Sequence, residues 1–453
     1  MNAVVGMRPW LLIAAAVFIA YFNAFQGGFQ FDDFNVIVGD ARVHGWQAWL
    51  ASMPGIRPLL KASYTLNWTS GLGLFGFHLF NLAVHAASAF LVYLLARRYF
   101  VEIAPLPESA GRSAALFAAL LFALHPAHTE AVTYLSGRSS SLTAAFYLAS
   151  LLAYDRGRQA GAPPAFRYFS LVFFLLALAV KEIAVTLPLA LFLWEFCRPA
   201  RRSVRAILAA QWPYWLAMAA ALLAMLLHPV YFDLLAYSLD RRTSAGSLYA
   251  GVQGAAYLFG QLFFPLHPNI DPDLSLPAAG SGELAAKAAL LGFLLAVGLA
   301  SLRRAPWLAF GILWFFVQLV PAHTLVPRLD IANDRQLYLA SPGPLLALSF
   351  FMARLAMRWP GLPWRTAAAA ASVLLALATH ARNRDYRNEI TLWEATAEYS
   401  PNKGRVHNNL GYAYELAGRK EDARKAYRRA LEIAPKYARA TANLRALDKH
   451  GTQ

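Results

Sequence analysis

The stretch PWLLIAAAVFIAYFNAF, residues 9–25, is followed within a few residues by FQFDDFNVI, residues 29–37. The first holds no charge over a length approaching the ~20 residues that a bilayer-crossing helix needs. It is longer than the core of a secretory signal, about 7–15 residues, so it reads as an uncleaved anchor. The second stretch sets two adjacent carboxylates, Asp32 and Asp33, at the mouth of that anchor.

The rest of the chain repeats this alternation of apolar run and polar connection. Hydrophobic residues make up 58% of the 453 and charged residues only 15%, too few charges to coat a soluble protein of this size. Eleven runs read as spans: 9–26, 78–96, 112–127, 140–154, 168–180, 183–196, 208–227, 286–302, 306–322, 336–354 and 365–380. The arginines gather between them, at Arg97 and Arg98; at Arg156, Arg158 and Arg167; at Arg198, Arg201, Arg202 and Arg205; at Arg303 and Arg304; and at Arg354, Arg358 and Arg365. With the N-terminus in the cytoplasm, all of these fall on the cytoplasmic side, as the positive-inside rule requires. The connections 27–77, 128–139, 228–285 and 323–335, the Lys181-Glu182 break and the tail then fall outside. This placement, rather than a nucleic-acid partner, accounts for the net charge of +16.

One apolar segment breaks the alternation. LYAGVQGAAYLFGQLFF, 248–264, could span, but a crossing there would invert everything downstream. It reads as a re-entrant or interfacial helix, and Arg241-Arg242 is the one basic pair on the wrong side. The single cysteine, Cys197, excludes an intrachain disulfide.

Residues 381–453 hold 24 of the 66 Asp, Glu, Lys and Arg, so the chain divides into an apolar body, 1–380, and a charged tail, 381–453. From Gly404 the tail reads GRVHNNLGYAYELAGRKEDARKAYRRALEIAPK, with Leu410, Gly411, Tyr414, Ala423, Tyr427, Ala430 and Pro435 in the signature places of a tetratricopeptide repeat. His407 stands where Trp is commoner. NEITLWEATAEYSP upstream supplies a second helix of a preceding unit, and YARATANLRALDK a closing helix. One repeat and two halves are too few to stand alone, so the tail is expected to rest on the membrane body or a partner.

Four polar groups fall on the outer side. Neighbouring side chains diverge on helix or strand, so only one of Asp32 and Asp33 can act as a general base and the other binds, orients or caps; a plain helix cap is equally open. ALLFALHPAHTEAVTYLSGRSS, 119–140, brings His125, His128, Glu130 and Arg138 together, with His125-Pro126 ending a helix. Zinc is conceivable there, but HExxH spacing is absent. LALAVKEIAVTLPL, 176–189, holds Lys181 and Glu182, which suit either a phosphate contact or a packing ion pair. HTLVPRLDIANDRQLYLASPG, 323–343, holds His323, Arg328, Asp334, Arg335 and Tyr338, read as a phosphate grip or as interfacial snorkelling. Together they describe an outward cavity for an anionic, lipid-linked ligand, with transport as the rival explanation.

FQFDDFNVI, RPLLKASYTLN, HLFNLAVHAAS, LHPAHTEAVTYLSGRSS, VKEIAVTLPL and DRQLYLASPG, followed by the repeat, resemble in order the transmembrane and tetratricopeptide-repeat-containing O-mannosyltransferases. The resemblance implies an all-α, polytopic membrane bundle of GT-C type, with about 11 spans and a repeat tail. It implies transfer of a sugar from a polyprenyl-phosphate donor to a hydroxyl of a protein acceptor on the extracytoplasmic face. It implies Asp32 as general base with Asp33 in support. Arg57, His125, Arg138, Lys181 and Arg335 would contact donor phosphate and sugar, with His128, Glu130, Glu182 and Tyr338 completing the donor site. No cofactor is implied, the lipid-linked sugar being a substrate, and a divalent metal is not expected. The Ala/Arg-rich composition points to a bacterial inner membrane. The rival readings are a lipid or glycan acceptor, as for the aminoarabinose transferases, and a catalytically silent membrane-anchored repeat scaffold.

Overall fold

The computed structural model of the chain describes residues 8–53, 55–199, 202–241, 244–275, 281–321, 330–361 and 363–449. His323, Arg328, Arg201 and Arg242 lie outside the described residues. Among those described, the regular elements are all helical.

The chain opens with α1 (Pro9–Tyr21), the short α2 (Trp46–Ala51), α3 (Pro58–Thr69) and the long α4 (Gly73–Glu102). Next come α5 (Glu108–Ala123), α6 (Thr129–Val132), α7 (Arg138–Gly157), α8 (Ala165–Val180), α9 (Leu187–Phe196) and α10 (Val204–Leu227). Then follow α11 (Pro229–Arg241), α12 (Ser244–Phe263), α13 (Gly282–Ser301), α14 (Pro306–Leu319), α15 (Leu337–Ala340), α16 (Pro342–Arg358) and α17 (Trp364–Asn383). The tail contributes α18 (Glu389–Tyr399), α19 (Gly404–Leu416), α20 (Lys420–Ile433) and α21 (Ala438–Lys449).

Each of the eleven apolar runs is helical, but not all are full spans. Four helical stretches are long and apolar enough to cross a membrane alone: Pro9–Gln26, Gly73–Glu102, Val204–Leu227 and Gly282–Ser301. Two bent pairs raise this to six, α5 with Pro126–Val132 at 52° and Asp334–Ala340 with α16 at 60°. Proline makes the first bend, since it cannot donate to the helical ladder and pushes its predecessor out of the helical region, whereas Ser341 before Pro342 stays helical at φ −74°, ψ −32°. His125 accordingly sits at φ −75°, ψ 123°. The Lys181-Glu182 break is also real: Lys181 is extended, at φ −159°, ψ 144°. The protein is an integral membrane protein whose core is built on close contact of small residues. Helices α4 and α5 pack against each other, and Ala89 and Ala96 of the first and Ala115, Ala118 and Ala119 of the second are all buried in the same core; small side chains are what let membrane helices approach.

The two ends of the bundle differ in chemistry. At one end Ser136 donates to Asp33, Arg57 to Glu182, Tyr231 to Glu182, Asn269 to Asp334 and to Ser400 of the tail. These bonds join every connection that the sequence assigned to one side. At the other end Arg98, Glu102, Asp155, Arg158, Glu195 and Arg198 form an ion-pair network. Helix α12 belongs to the first end along its length. Gln253, Tyr257 and Gln261, one turn apart, bond Lys287, Asp334 and the carbonyl of His267.

The tail rests on the body. Trp393 and Leu392 of α18 share a buried cluster with Tyr134, Ile270 and Phe31. Asp271 holds Lys403 and Arg405, and Arg405 reaches Asp330 at 2.6 Å. Within the repeat, a Cβ on Gly411 would stand 2.6 Å from the Tyr427 ring, which is why α19 and α20 pack so closely there.

Candidate active site

Asp32 and Asp33 follow a left-handed residue, Phe31 at φ 46°, and begin a short helical turn that continues as a π-turn through Phe34–Val38. Such a backbone is costly for a bulky side chain and persists only where its surroundings fix it. Here the tail fixes it. The Phe31 N–H donates to Glu389, its ring meets Trp393 edge-to-face at 5.1 Å, and the Gln30 amide donates to the carbonyl of Tyr386.

The two carboxylates part as expected. Asp33 is fully buried, accepting from Ser136 N at 2.7 Å and Gln30 N at 3.0 Å. Burial pushes its carboxyl up to about 7 although both N–H groups pull the other way. It is a brace between the first connection and the 128–137 turn. Asp32 stays half-exposed, with its N–H donating to the Tyr134 hydroxyl at 2.9 Å. Burial raises its carboxyl above the usual carboxylate range, while the charge of Arg335 acts against the shift.

Arg335, from far along the sequence, thus lies within electrostatic reach of Asp32. Glu130 orients it, accepting from Arg335 N at 2.9 Å and pairing with its Nε at 3.4 Å. Asp334 beside it is buried and accepts from Tyr257 and Asn269 N, pinning the turn from α12. Next to this group lies a second: Arg57 makes a two-pronged pair with Glu182 at 2.8 and 2.9 Å, and Lys181 donates to Ser140 at 2.9 Å. Lys181 lies within electrostatic reach of Glu130, so the two groups border one end of the bundle.

Other expected site residues are saturated below this surface. Arg138 is 0% exposed, with Nε on Asn81 at 2.6 Å and its amino groups on the carbonyls of Ser63 and Phe77. Tyr64, Phe77 and Phe80 box the guanidinium at 4.4–5.4 Å. It clamps α3, α4 and α7 and presents nothing to a cavity. His125 bonds the carbonyl of Leu262 and caps Ala127, and His128 bonds the carbonyl of Phe122 and Ser341. Tyr338 is buried against His85 at 2.7 Å. His125 and His128 thereby satisfy carbonyls at the ends of α12 and α5. Among the described residues, no three of His, Cys, Asp and Glu are grouped to hold a metal ion.

Tyr134, Asp330, Arg405, Glu389 and Trp393 belong to the site and were not singled out in the sequence. Tyr134 lay inside a quoted motif, between Glu130 and Arg138. Glu389 and Trp393, four apart on one helix, were absorbed into the repeat.

The turn Leu135–Gly137 also explains its glycine. A Cβ on Gly137 would lie 1.8 Å from the carbonyl oxygen of Glu130. Gly137→Ala must open the turn and draw Ser136 N from Asp33. A loss of about 2–3 kcal/mol is expected, read as a lowered unfolding midpoint of the purified protein.

Residues 404–437 match the tetratricopeptide repeat family. A protein O-mannosyl-transferase of Caenorhabditis elegans is 25% identical over 466 residues, covering 95% of this chain and 64% of that protein. Tmtc3 of Drosophila melanogaster, also a protein O-mannosyl-transferase, is 25% identical over 94% of this chain and 55% of its own length. The chain is similar to these protein O-mannosyl-transferases. The likeness is highest where coverage is smaller: Tmtc1 of Drosophila melanogaster is 33% identical over 208 residues, 42% of this chain and 23% of that protein. The chain therefore spans less than two thirds of each of these relatives. Among solved structures, ArnT from Cupriavidus metallidurans bound to undecaprenyl phosphate aligns at TM-score 0.40 and 18% identity, over 96% of this chain and 76% of that one.

Proposed function

We propose that the protein is a glycosyltransferase of GT-C type that moves a sugar, mannose by analogy with its relatives, from a polyprenyl phosphate to a hydroxyl of a protein acceptor, on the extracytoplasmic side where the tail lies. The observation that carries this reading is half-buried Asp32 lying within electrostatic reach of Arg335 at one end of the bundle, the Asp32 backbone held by buried Tyr134 and Arg335 held by buried Glu130. Asp32 takes the proton of the acceptor hydroxyl as its oxygen attacks the anomeric carbon. The sugar–phosphate bond breaks, and the departing polyprenyl phosphate keeps the bonding pair. Arg335 and Lys181 stabilise that charge, and the phosphate leaves without needing an acid. An apolar groove of about 300 Å³ between α13, α14 and α16, walled by Trp307, Phe315 and Phe351, suits the isoprenyl tail. In this reaction the lipid-linked sugar is a substrate and no cofactor takes part.

The test is a reconstitution. Purified protein is given polyprenyl phosphates carrying different labelled sugars, with protein extracts and lipids as acceptors. Label is expected in protein, removable by treatments that cleave O-glycosides. Label confined to the lipid fraction would overturn the protein acceptor, and none in any fraction would overturn the transferase. Removing residues 388–453 is a poor test of acceptor choice, because Glu389 and Trp393 hold the backbone in front of Asp32.

A further inference from the structure

The end of the bundle away from the tail has its own charge arithmetic. Arg98 bonds Asp155 and Glu102, each at 2.6 Å. Arg198 bonds Glu102 at 2.7 Å and Asp155 at 3.4 Å, and Arg158 bonds Glu195 at 3.1 Å. Three carboxylates are thereby matched to three arginines. Two neighbouring arginines are left over. Among the described residues, Arg97 bonds the Tyr93 hydroxyl at 3.4 Å and feels Glu108 at longer range, and Arg156 bonds the Gln159 side chain and lies over the Phe166 ring. Among the described residues neither has a carboxylate at ion-pair distance. Both border one groove of about 370 Å³ between the ends of α4 and α7.

That groove has two kinds of wall. Arg97, Arg98 and Arg156 offer N–H donors around Asp155, whose charge is taken up by Arg98 and Arg198, whereas Leu94 and Leu152, one turn further into the bundle, offer half-buried apolar surface. We propose that it binds the phosphate of an anionic glycerophospholipid from the leaflet at that end, with the first acyl carbons against Leu94 and Leu152. Guanidinium forks match phosphate oxygens. Basic recesses between helices at the membrane boundary are where anionic head groups settle. A zwitterionic lipid would leave the two surplus charges uncompensated. Free phosphate shares the polar chemistry but makes no use of the apolar wall.

The experiment follows the unfolding midpoint of the full-length protein in nonionic detergent, with phosphatidylglycerol, phosphatidylcholine or inorganic phosphate added at equal concentration. Phosphatidylglycerol is expected to raise the midpoint by about 3 °C or more, as a ligand of the folded state does, and the other two to leave it unchanged. In R97Q/R156Q that rise should vanish, while R358Q/R365Q, with the same loss of charge elsewhere, should keep it. The charge-preserving R97K/R156K should retain part of the rise, separating lost binding from damaged folding. An equal rise in R97Q/R156Q would overturn the site. An equal rise with inorganic phosphate would overturn the lipid.

Discussion

Purified protein carrying Asp32→Asn is expected to lose sugar transfer by about 10²–10⁴-fold, the usual worth of a general base, while keeping donor binding and its unfolding midpoint. Amide for carboxylate preserves shape and removes the proton acceptor. Asp32 is half-buried and its side chain touches the Tyr134 hydroxyl, which an amide can also bond, so folding should suffer little. Wild-type transfer should fall on acidification at a pH above the ordinary aspartate value of 3.8, because burial raises the Asp32 carboxyl and only the ionised form accepts a proton. Asp33→Asn should behave differently. Its carboxyl is pushed up to about 7 in the fold against 3.8 when exposed, so the folded state holds the proton more tightly. That contribution to stability is complete below about 3.8 and is lost as pH rises through about 7. The amide introduced by Asp33→Asn is neutral at every pH, so this variant should flatten the decline of the unfolding midpoint over that window. Full transfer by the Asp32 variant would move the role of base elsewhere.

The second large effect concerns Arg138. Replacement by Gln strands the Asn81 amide oxygen inside the bundle, worth ~1–3 kcal/mol when left unsatisfied, and removes the guanidinium's further bonds to the Ser63 and Phe77 carbonyls of α3 and α4. Lys should do little better, since a single ammonium cannot reach three acceptors arranged around a planar fork. Both variants are expected to be recovered in low yield or with a midpoint many degrees lower. A donor contact would behave otherwise, with normal folding and a raised KM for the lipid-linked sugar. Denaturation curves and donor kinetics on the same preparations separate the two roles.

The brace and the proposed base differ by one residue in the sequence, and the same contrast holds more widely. What the amino-acid sequence determined by itself was whatever depends on local pattern. Apolar run length made the eleven helices, His125-Pro126 and Lys181-Glu182 broke two of them, and the spacing from Leu410 to Pro435 made the repeat. The alternation of arginine clusters with polar connections also foretold which segments share an end, because side-to-side bookkeeping needs only order along the chain. Four motifs were correctly placed at that end, but not the depth of each residue within it. His125, His128, Arg138 and Tyr338 are as polar as Asp32 and Arg335, and lie in the same stretches. Whether such a group faces water or satisfies a carbonyl freed by a broken helix depends on what packs over it from hundreds of residues away. Only the tertiary structure decided that, along with the hold of Glu389 and Trp393 on Phe31, since a strained backbone angle and its distant support leave no periodicity to read.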